Sequence, residues 1–284
     1  MENLIGCEQL VSLLEDPDLR VVDCRFSLKD PQEGRRDFEK GHIPGALYGD
    51  LNRQLSSAVV PGKTGRHPLP EIQTIAAVLS AWGIDASTRV VAYDHMGGAV
   101  ASRLWWLLRW LGHRDAAVLD GGWAEWQKRV YPISRDEAQP VKREFKPRPI
   151  ENFFVNTDEV ARLCADPEYL VLDARASVRY SGEEEPIDPV SGHIPGAVSA
   201  PFTENLNETG CFKSPESLRR RFEPLLGGIA PRNVVVYCGS GVTANHNLLA
   251  MVHAGLEGAR LYPGSWSEWI VDPRRPVIKG KHPR

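Results

Sequence analysis

Residues 234–244 read Val-Val-Val-Tyr-Cys-Gly-Ser-Gly-Val-Thr-Ala, a β-branched run that leads into a cysteine and then into a loop of small residues. Such an apolar run predicts a parallel strand that is covered on both faces. Gly239 and Gly241 have no Cβ, so the backbone after Cys238 can turn tightly and direct its N–H groups toward one point. The stretch therefore predicts a strand, an anion-binding loop and a helix, with Cys238 as a nucleophile at the end of the strand.

The residues after this loop continue as a predicted helix. Thr243 is expected to cap its first turn with its side chain. Apolar residues recur at spacings of three and four through 244–254, and Gly255 stands where a helix stop is expected. The positive end of this helix then faces the cysteine and stabilises a thiolate. The alternative is a buried, unreactive cysteine that packs as a small hydrophobic side chain.

Composition and charge exclude several classes of protein. Of the 284 residues, 42% are hydrophobic and 25% are charged, and the formal net charge is -3. These values are typical of an ordered globular protein and predict neither a nucleic-acid nor a membrane partner. The apolar run 104–108 is too short to span a bilayer, and the first residues lack the pattern of a signal peptide. Five cysteines without a CxxC pair indicate a reducing compartment, and we expect a cytoplasmic protein.

The chain repeats itself. Four blocks of the first half recur in the second half in the same order, which indicates duplication of a whole domain rather than a short solenoid repeat. The matched blocks are 20–25 with 170–175, 41–46 with 192–197, 89–94 with 233–238, and 120–126 with 263–269.

Each copy alternates short β-branched strands with helical segments, which predicts an α/β fold with a parallel sheet covered by helices on both faces. Sites in such sheets form at the carboxyl ends of the strands, where Cys238 lies. We expect a first domain over 1–135, a polar, proline-broken linker over 136–154 and a second domain over 155–284.

The two copies differ at the nucleophile. Asp94 stands in the first copy where the second has Cys238, and the residues that follow it, 95–98, contain no nucleophile. The first copy is therefore predicted to be a scaffold. An independent acid site at Asp94 is the alternative, but no partner base or metal-ligand cluster lies near it in the sequence.

With the duplication and the Cys238 loop, the chain resembles the tandem rhodanese-domain sulfurtransferases over essentially its whole length. Residues 238–243 are similar to the active loop of the 3-mercaptopyruvate sulfurtransferase branch. The thiosulfate-using branch typically places basic residues where this chain has Gly239 and Ser240. The resemblance implies two tandem rhodanese-like domains, of which the first, with Asp94, is non-catalytic and the second, with Cys238, is catalytic.

The resemblance also implies a mechanism in which Cys238 attacks the sulfur of a donor and becomes a persulfide, which then passes sulfur to an acceptor. Fixed backbone N–H groups can bind the negatively charged persulfide sulfur, and covalent storage divides the transfer into two steps. The loop residues expected to bind substrate in this way are Gly239, Gly241, Val242 and Thr243.

Arg179 matches the substrate-binding arginine of the family and can hold a donor carboxylate through two parallel N–H bonds. A surface salt bridge is the alternative role for Arg179. Arg175 has a counterpart in Arg25, which favours a structural role in both copies. The mercaptopyruvate branch usually has a second arginine shortly before the repeated block at 192–197, but residues 181–191 contain none and are acidic.

The family also has an acid–histidine–serine relay that assists the thiol chemistry. Ser240 and His67 match two of its members, and the acidic member is replaced by Asn52, with Asp50 two residues before it. Asparagine can orient an imidazole but cannot stabilise its charged form as a carboxylate does. A surface loop histidine is the alternative interpretation of His67.

Several functions stay open at this point. A sulfurtransferase that uses a 2-oxo thiol such as 3-mercaptopyruvate competes with one that prefers thiosulfate, and a non-catalytic persulfide carrier is a further alternative. A cysteine phosphatase or arsenate reductase needs an arginine six residues after the cysteine, where this chain has Ala244. No dinucleotide fingerprint, Walker loop or metal motif is present in the sequence, so we expect no cofactor. The expected partners are a small-molecule sulfur donor and a thiol, cyanide or protein acceptor, with thioredoxin among the candidates.

Overall fold

A computed structural model describes residues 1–282 and shows two compact units. The units do not follow one linear boundary, because each of them includes a short segment from the other half of the sequence. Ala58–Pro68 belongs to the second unit, and Glu208–Phe212 belongs to the first. The boundaries at residues 135 and 155 stay a prediction.

Within residues 1–282 the regular elements alternate as the sequence predicts. The strands are β1 (Leu4–Ile5), β2 (Leu19–Asp23), β3 (Leu47–Tyr48), β4 (Arg89–Tyr93), β5 (Ala116–Leu119), β6 (Leu170–Asp173), β7 (Val198–Ser199), β8 (Val234–Tyr237) and β9 (Arg260–Leu261). The helices are α1 (Cys7–Leu13), α2 (Glu33–Lys40), α3 (Ile72–Ala81), α4 (Ala101–Trp110), α5 (Gly122–Lys128), α6 (Thr157–Leu163), α7 (Ser177–Ser181), α8 (Pro215–Leu226), α9 (Ala244–His253) and α10 (Ser265–Trp269). Two 3₁₀ turns lie at Phe202–Asn205 and Pro231–Asn233.

The first unit contains a five-stranded parallel sheet in the order β1-β5-β4-β2-β3. Val91 and Tyr93 on β4 point to one face, where they pack with Phe38 of α2 and Trp126 of α5. The alternate residues of β4, such as Val90, are also fully buried. Both faces of the strand are therefore covered, which is why its sequence is a continuous apolar run.

The second unit contains a four-stranded parallel sheet in the order β7-β6-β8-β9. The central strand β8 is fully buried, and Val235 and Tyr237 pack with Trp266 and Trp269 of α10. The sheet ends at Tyr237, so the next residue, Cys238, stands at the carboxyl edge. The predicted fold class, two parallel α/β sheets with helices, is confirmed.

The stretch predicted as a linker, 136–154, contains no helix or long strand. Up to Glu151 it belongs to the first unit, where the N–H groups of Arg148 and Ile150 donate to the carbonyls of Leu111 and Trp110 at 2.8 Å each. The segment is thus fixed by backbone hydrogen bonds despite its polar composition. Among the described residues, no helix is long and apolar enough to cross a bilayer.

Side chains of the duplicated motifs make the same buried contacts in both units. Arg175 makes a buried bidentate ion pair with Asp173 and donates to the carbonyl of Gly192 at 2.7 Å. In the first unit, the guanidinium of Arg25 has the same partners, the carboxylate at position 23 and the carbonyl at position 41. His193 stacks on Tyr180 and bonds to its carbonyl, and His42 makes the same two contacts with Phe38. The repetition supports structural roles for these side chains.

Candidate active site

Cys238 is held at the end of β8 by the first turn of α10. Its N–H donates to Ser265 Oγ at 3.1 Å, and its carbonyl accepts from the N–H of Trp266 at 2.9 Å. The carbonyl of Gly239 accepts from Ser267 at 2.9 Å in the same way. Ser265 has a φ of +54°, a conformation that costs energy for a residue with a Cβ. The backbone at the nucleophile is therefore fixed by the first turn of α10.

The loop after Cys238 needs glycine at one position. Gly241 has a φ of +72°, and a Cβ there would lie 2.2 Å from the carbonyl oxygen of Pro263. Asn245, fully buried in the first turn of α9, donates from Nδ2 to the carbonyls of Gly241 and Val242 at 2.9 Å each. The side-chain amide of Asn245 thus ties the loop to the first turn of α9.

The prediction that Thr243 caps the helix with its side chain is wrong. Thr243 occupies the N-cap position of α9, but its side chain makes no capping hydrogen bond. The reason is its backbone, which is already helical with φ -71° and ψ -14°. An N-cap side chain reaches the first-turn N–H groups from an extended backbone instead. These N–H groups are not blocked by the Thr243 hydroxyl.

The corresponding loop of the first unit shows what this architecture can bind. Asp94 is fully buried, and its Oδ1 accepts from the N–H groups of Met96 and Gly98 at 2.7 and 2.9 Å. Its Oδ2 accepts from Val100 and Ala101 at 2.7 and 2.8 Å. Four backbone donors thus converge on one anion, the arrangement of a backbone nest at the start of a helix.

Cys238 occupies the same position in the second unit. Each residue follows the tyrosine that ends the central strand, and each precedes a helix after a short loop. The second loop is one residue shorter, because α4 begins seven residues after Asp94 and α9 begins six residues after Cys238. A negatively charged sulfur on Cys238 would therefore face loop amides of the kind that hold the Asp94 carboxylate.

Ser240 and His67 are in hydrogen-bond contact. His67 Nδ1 lies 2.8 Å from Ser240 Oγ, and both side chains are buried, at 5% and 8% exposure. His67 belongs to the 58–68 segment of the second unit, which is held by Ser267 and by Glu268 of α10. The structure thus brings together two of the three predicted members of the relay.

Neither Asn52 nor the nearby Asp50 is hydrogen-bonded to His67 in the contacts described for them. Asn52 is exposed and belongs to the first unit. The carboxylate of Asp50 accepts from the N–H groups of Asn52 and Arg53 at 2.8 and 3.1 Å, so it closes its own turn. These hydrogen bonds are typical of a local aspartate turn.

Arg179 is paired with two carboxylates. Its Nε and Nη2 bind Glu185 at 2.8–3.1 Å, and its Nη2 also binds Asp188 at 2.9 Å. The other oxygen of Asp188 binds Arg66 Nη1. Both guanidinium groups lie at the loop, since a Cβ on Gly239 would be 2.9 Å from Arg66 Nη2 and 3.5 Å from Arg179 Nη1. Arg66 is a residue of the site that the sequence reasoning missed.

Burial keeps the four other cysteines in the thiol form. Burial raises the pKa of the Cys7 thiol to about 11, and the neighbouring Glu125 carboxylate adds to the effect. Burial also raises the pKa of Cys24, Cys164 and Cys211. Because their pKa values are raised, these side chains stay protonated near neutral pH. Since the thiolate is the reactive form, they react slowly there. In the described residues no cluster of histidine, cysteine and acidic side chains could hold a metal ion.

The fold and the site define a duplicated parallel α/β protein with a cysteine-headed anion loop in its second unit. The family model for the rhodanese-like domain matches the chain twice, at residues 7–129 and 156–272. The chain belongs to the rhodanese-like domain family. The sequence-based identification is thereby confirmed.

The relatives agree with this result over the whole chain. A probable 3-mercaptopyruvate sulfurtransferase of Pseudomonas aeruginosa is 49% identical over 278 residues, which cover 98% of both chains. The human 3-mercaptopyruvate sulfurtransferase is 36% identical and covers 95% of this chain and 93% of its own. The solved structure of the Leishmania major 3-mercaptopyruvate sulfurtransferase superimposes with a TM-score of 0.83 at 30% identity, over 94% of this chain and 74% of that one. A bovine thiosulfate sulfurtransferase is also related, at 33% identity over 93% of this chain and 90% of its own.

Proposed function

We propose that this protein is a 3-mercaptopyruvate sulfurtransferase that carries the sulfur as a persulfide on Cys238. The observation that carries the proposal is the pair of twin loops. One of them binds a carboxylate through four N–H groups, and the other presents a cysteine at the same position. The relatives named 3-mercaptopyruvate sulfurtransferase support the choice of donor.

In the first half-reaction the Cys238 thiolate attacks the thiol sulfur of the donor. A new S–S bond forms, the C–S bond breaks, and its electron pair leaves with C3 as the enolate of pyruvate. The thiol proton of the donor ends on C3, so the products are pyruvate and a negatively charged persulfide. Loop amides stabilise this charge as it develops on the transferred sulfur.

Ser240 and His67 move the proton in this proposal. Ser240 Oγ accepts the thiol proton of the donor as it gives its own proton to His67 Nδ1, 2.8 Å away. The return of the proton through Ser240 to C3 completes pyruvate. A hydrogen-bonded serine–histidine pair of this length is within the range for proton transfer. Arg179 holds the donor carboxylate, with its own position fixed by Glu185 and Asp188.

In the second half-reaction an acceptor takes the outer sulfur and leaves the Cys238 thiolate. A thiolate acceptor becomes a persulfide, and cyanide becomes thiocyanate. We propose thioredoxin as one of the protein acceptors. We also propose a cytoplasmic location. The five free cysteines support a reducing compartment.

A thiosulfate sulfurtransferase is the second candidate. The presence of two guanidinium groups at Gly239 favours it, because thiosulfate is a dianion. The two carboxylates of Glu185 and Asp188 oppose it, since they cancel the charge of Arg66 and Arg179.

The test is a comparison of steady-state rates with 3-mercaptopyruvate and with thiosulfate under one common acceptor. We expect a higher kcat/KM for 3-mercaptopyruvate. A higher value for thiosulfate would overturn the choice of donor and leave the persulfide chemistry of Cys238 as a separate question.

A further inference from the structure

A buried arginine of the first unit has one donor nitrogen fewer in use than its twin in the second. Arg25 and Arg175 both use Nε and Nη2 for a buried aspartate and a glycine carbonyl. Nη1 of Arg175 binds the carboxylate of Glu185 at 3.4 Å. Nη1 of Arg25 has no hydrogen-bond partner within residues 1–282, although the residue is only 4% exposed. A carboxylate thus completes the arrangement in the second unit, and this part of the chain supplies none to Arg25 Nη1.

The indole beside this arginine shows the same difference. The guanidinium carbon of Arg25 lies 4.6 Å from the ring centre of Trp123, and that of Arg175 lies 4.6 Å from the ring centre of Trp266. Trp266 Nε1 donates to the carbonyl of Val190 at 2.9 Å. Trp123 is 9% exposed, and its Nε1 has no acceptor among the described residues. Donors without a partner in such buried side chains are uncommon in native structures, and each one needs an explanation.

The chain between the repeated blocks causes the difference. In the second unit the stretch 182–191 supplies both acceptors, the carboxylate of Glu185 and the carbonyl of Val190. In the first unit the stretch before Gly41 forms α2 instead, and a cleft of about 890 Å³ lies beside the guanidinium and the indole. This volume is within the range of small-molecule sites, about 300–1,000 Å³. The charged or titratable side chains that line the cleft with Arg25 are Asp37, Lys40, His95, Arg135 and Asp136.

We propose that this cleft binds a small carboxylic acid with a further acceptor oxygen, such as a 2-oxo or 2-hydroxy acid. The carboxylate of the ligand accepts from Arg25 Nη1, as Glu185 does from Arg175. The second oxygen accepts from Trp123 Nε1, as the carbonyl of Val190 does from the twin indole. The first unit is then a ligand-binding unit as well as a scaffold, which goes beyond the proposed function and does not depend on the sulfur donor.

The charges favour a ligand with one carboxylate over a multiply charged anion. With His95 neutral, the charged side chains at the cleft and behind it sum to zero: Arg25, Lys40 and Arg135 against Asp23, Asp37 and Asp136. Lys40 is already paired with Asp37 at 2.8 Å. A site without net charge attracts a multiply charged anion weakly at long range. A guanidinium N–H in a fixed orientation binds a carboxylate at short range instead.

A small molecule suits the cleft better than an acidic peptide. Both open donors belong to one stacked pair of side chains, so a single small molecule reaches both. The stretch that fills the twin position is part of the folded chain, and its order comes with folding. A free peptide would lose conformational entropy when it binds, which lowers its affinity.

The experiment uses the indole N–H of Trp123 as a local probe. Its signal in heteronuclear NMR spectra is assigned with Trp123→Phe and is followed in titrations with three ligands. The ligands are pyruvate, 2-oxopropanamide, in which an amide replaces the carboxylate, and a peptide with the sequence of residues 183–190. The indole N–H of Trp269, which donates to the carbonyl of Pro276 at 3.0 Å, is the internal control.

We expect pyruvate to shift the Trp123 signal to saturation and to leave the Trp269 signal in place. Binding of 2-oxopropanamide should be roughly 10- to 100-fold weaker, as for the loss of one charge-assisted contact. Arg25→Lys removes Nη1, and Gln127→Glu adds a carboxylate to the lining of the cleft. Each change should weaken pyruvate binding by roughly 10-fold. Gln139→Glu is the matched control, because this exposed residue of the first unit lies outside the cleft, and its affinity for pyruvate should equal that of the unmodified protein.

A Trp123 signal that does not move with pyruvate would overturn the proposal, and so would equal affinities for pyruvate and 2-oxopropanamide. Tighter binding of the peptide than of pyruvate would overturn the choice of a small acid. Should Arg25→Lys fail to fold, Gln127→Glu decides, since unchanged pyruvate binding in that variant would place the carboxylate outside the cleft.

Discussion

Replacement of Asp94 by asparagine tests whether the loop architecture is built around an anion. The carboxylate is fully buried and accepts four backbone N–H groups, two on each oxygen. An amide keeps one oxygen, so two N–H groups would face an NH₂ group instead of an acceptor. Since a hydrogen bond to a charged group contributes about 1.5–3 kcal/mol, the loss of two costs about 3–6 kcal/mol. That is a large fraction of the stability of a typical domain.

The assay for Asp94→Asn combines thermal unfolding with amide hydrogen exchange of the peptide that covers residues 95–101. We expect a lower unfolding temperature and faster exchange in this peptide. Asp136→Asn is the matched control, because that side chain is exposed in the same unit. Unchanged unfolding and unchanged exchange in Asp94→Asn would show that the loop amides do not depend on a charged acceptor.

Three further predictions concern the second unit and the thiols. Arg179→Gln should lower kcat/KM for 3-mercaptopyruvate by roughly 10- to 100-fold, with a much smaller loss for a donor that has no carboxylate; equal losses in steady-state assays would indicate general electrostatics. Ser265→Ala should destabilise the protein by about 1 kcal/mol more than Ser265→Gly in denaturant titrations, because only glycine relieves the φ of +54°, as Gly122 does at the twin position with +53°; equal stability would contradict this strain. Burial raises the pKa of Cys7 to about 11 and raises that of Cys24 well above its ordinary value, so iodoacetamide at pH 8 should label neither thiol in the native protein, and labelling of Cys7 should increase as the pH approaches 11; rapid labelling at pH 8, detected by peptide mass spectrometry, would contradict this expectation.

The fold could be predicted because its signals are local and repeated. The buried strand 234–237 is a continuous β-branched run, and its twin 89–93 has the same pattern. Two copies of each signal reduce the ambiguity of a single short apolar run. The sequence pointed to Gly239 and Gly241 alike as the residues that allow a tight loop, and of the two only Gly241 has a positive φ.

Only some residues of the site could be predicted from the sequence. Thr243 has the residue type of a capping side chain, but its helical backbone, set by the loop, directs the hydroxyl away from that role. Arg66 lies directly before His67, which the sequence singled out, so this position was a usable signal. Its meeting with Asp188 joins residues 122 positions apart in the chain, and no local pattern reports such a contact.

The sequence also contained no sign that Ala58–Pro68 belongs to the second unit and Glu208–Phe212 to the first. Ala58–Pro68 carries Arg66 and His67 to the second unit, although the sequence order places both within the first repeat. Hydrogen bonds from Gly65 and Arg66 to Glu268 and Ser267 fix the segment there. Such long-range contacts depend on the completed fold and not on the periodicity of the segment.

Peptide mass spectrometry after treatment with 3-mercaptopyruvate in the absence of an acceptor shows whether Cys238 alone carries the transferred sulfur. We predict one added sulfur atom on the peptide that contains Cys238, and none anywhere in the Cys238→Ser variant. Sulfur on the peptide of Cys7, Cys24, Cys164 or Cys211, or full turnover by Cys238→Ser, would contradict the account.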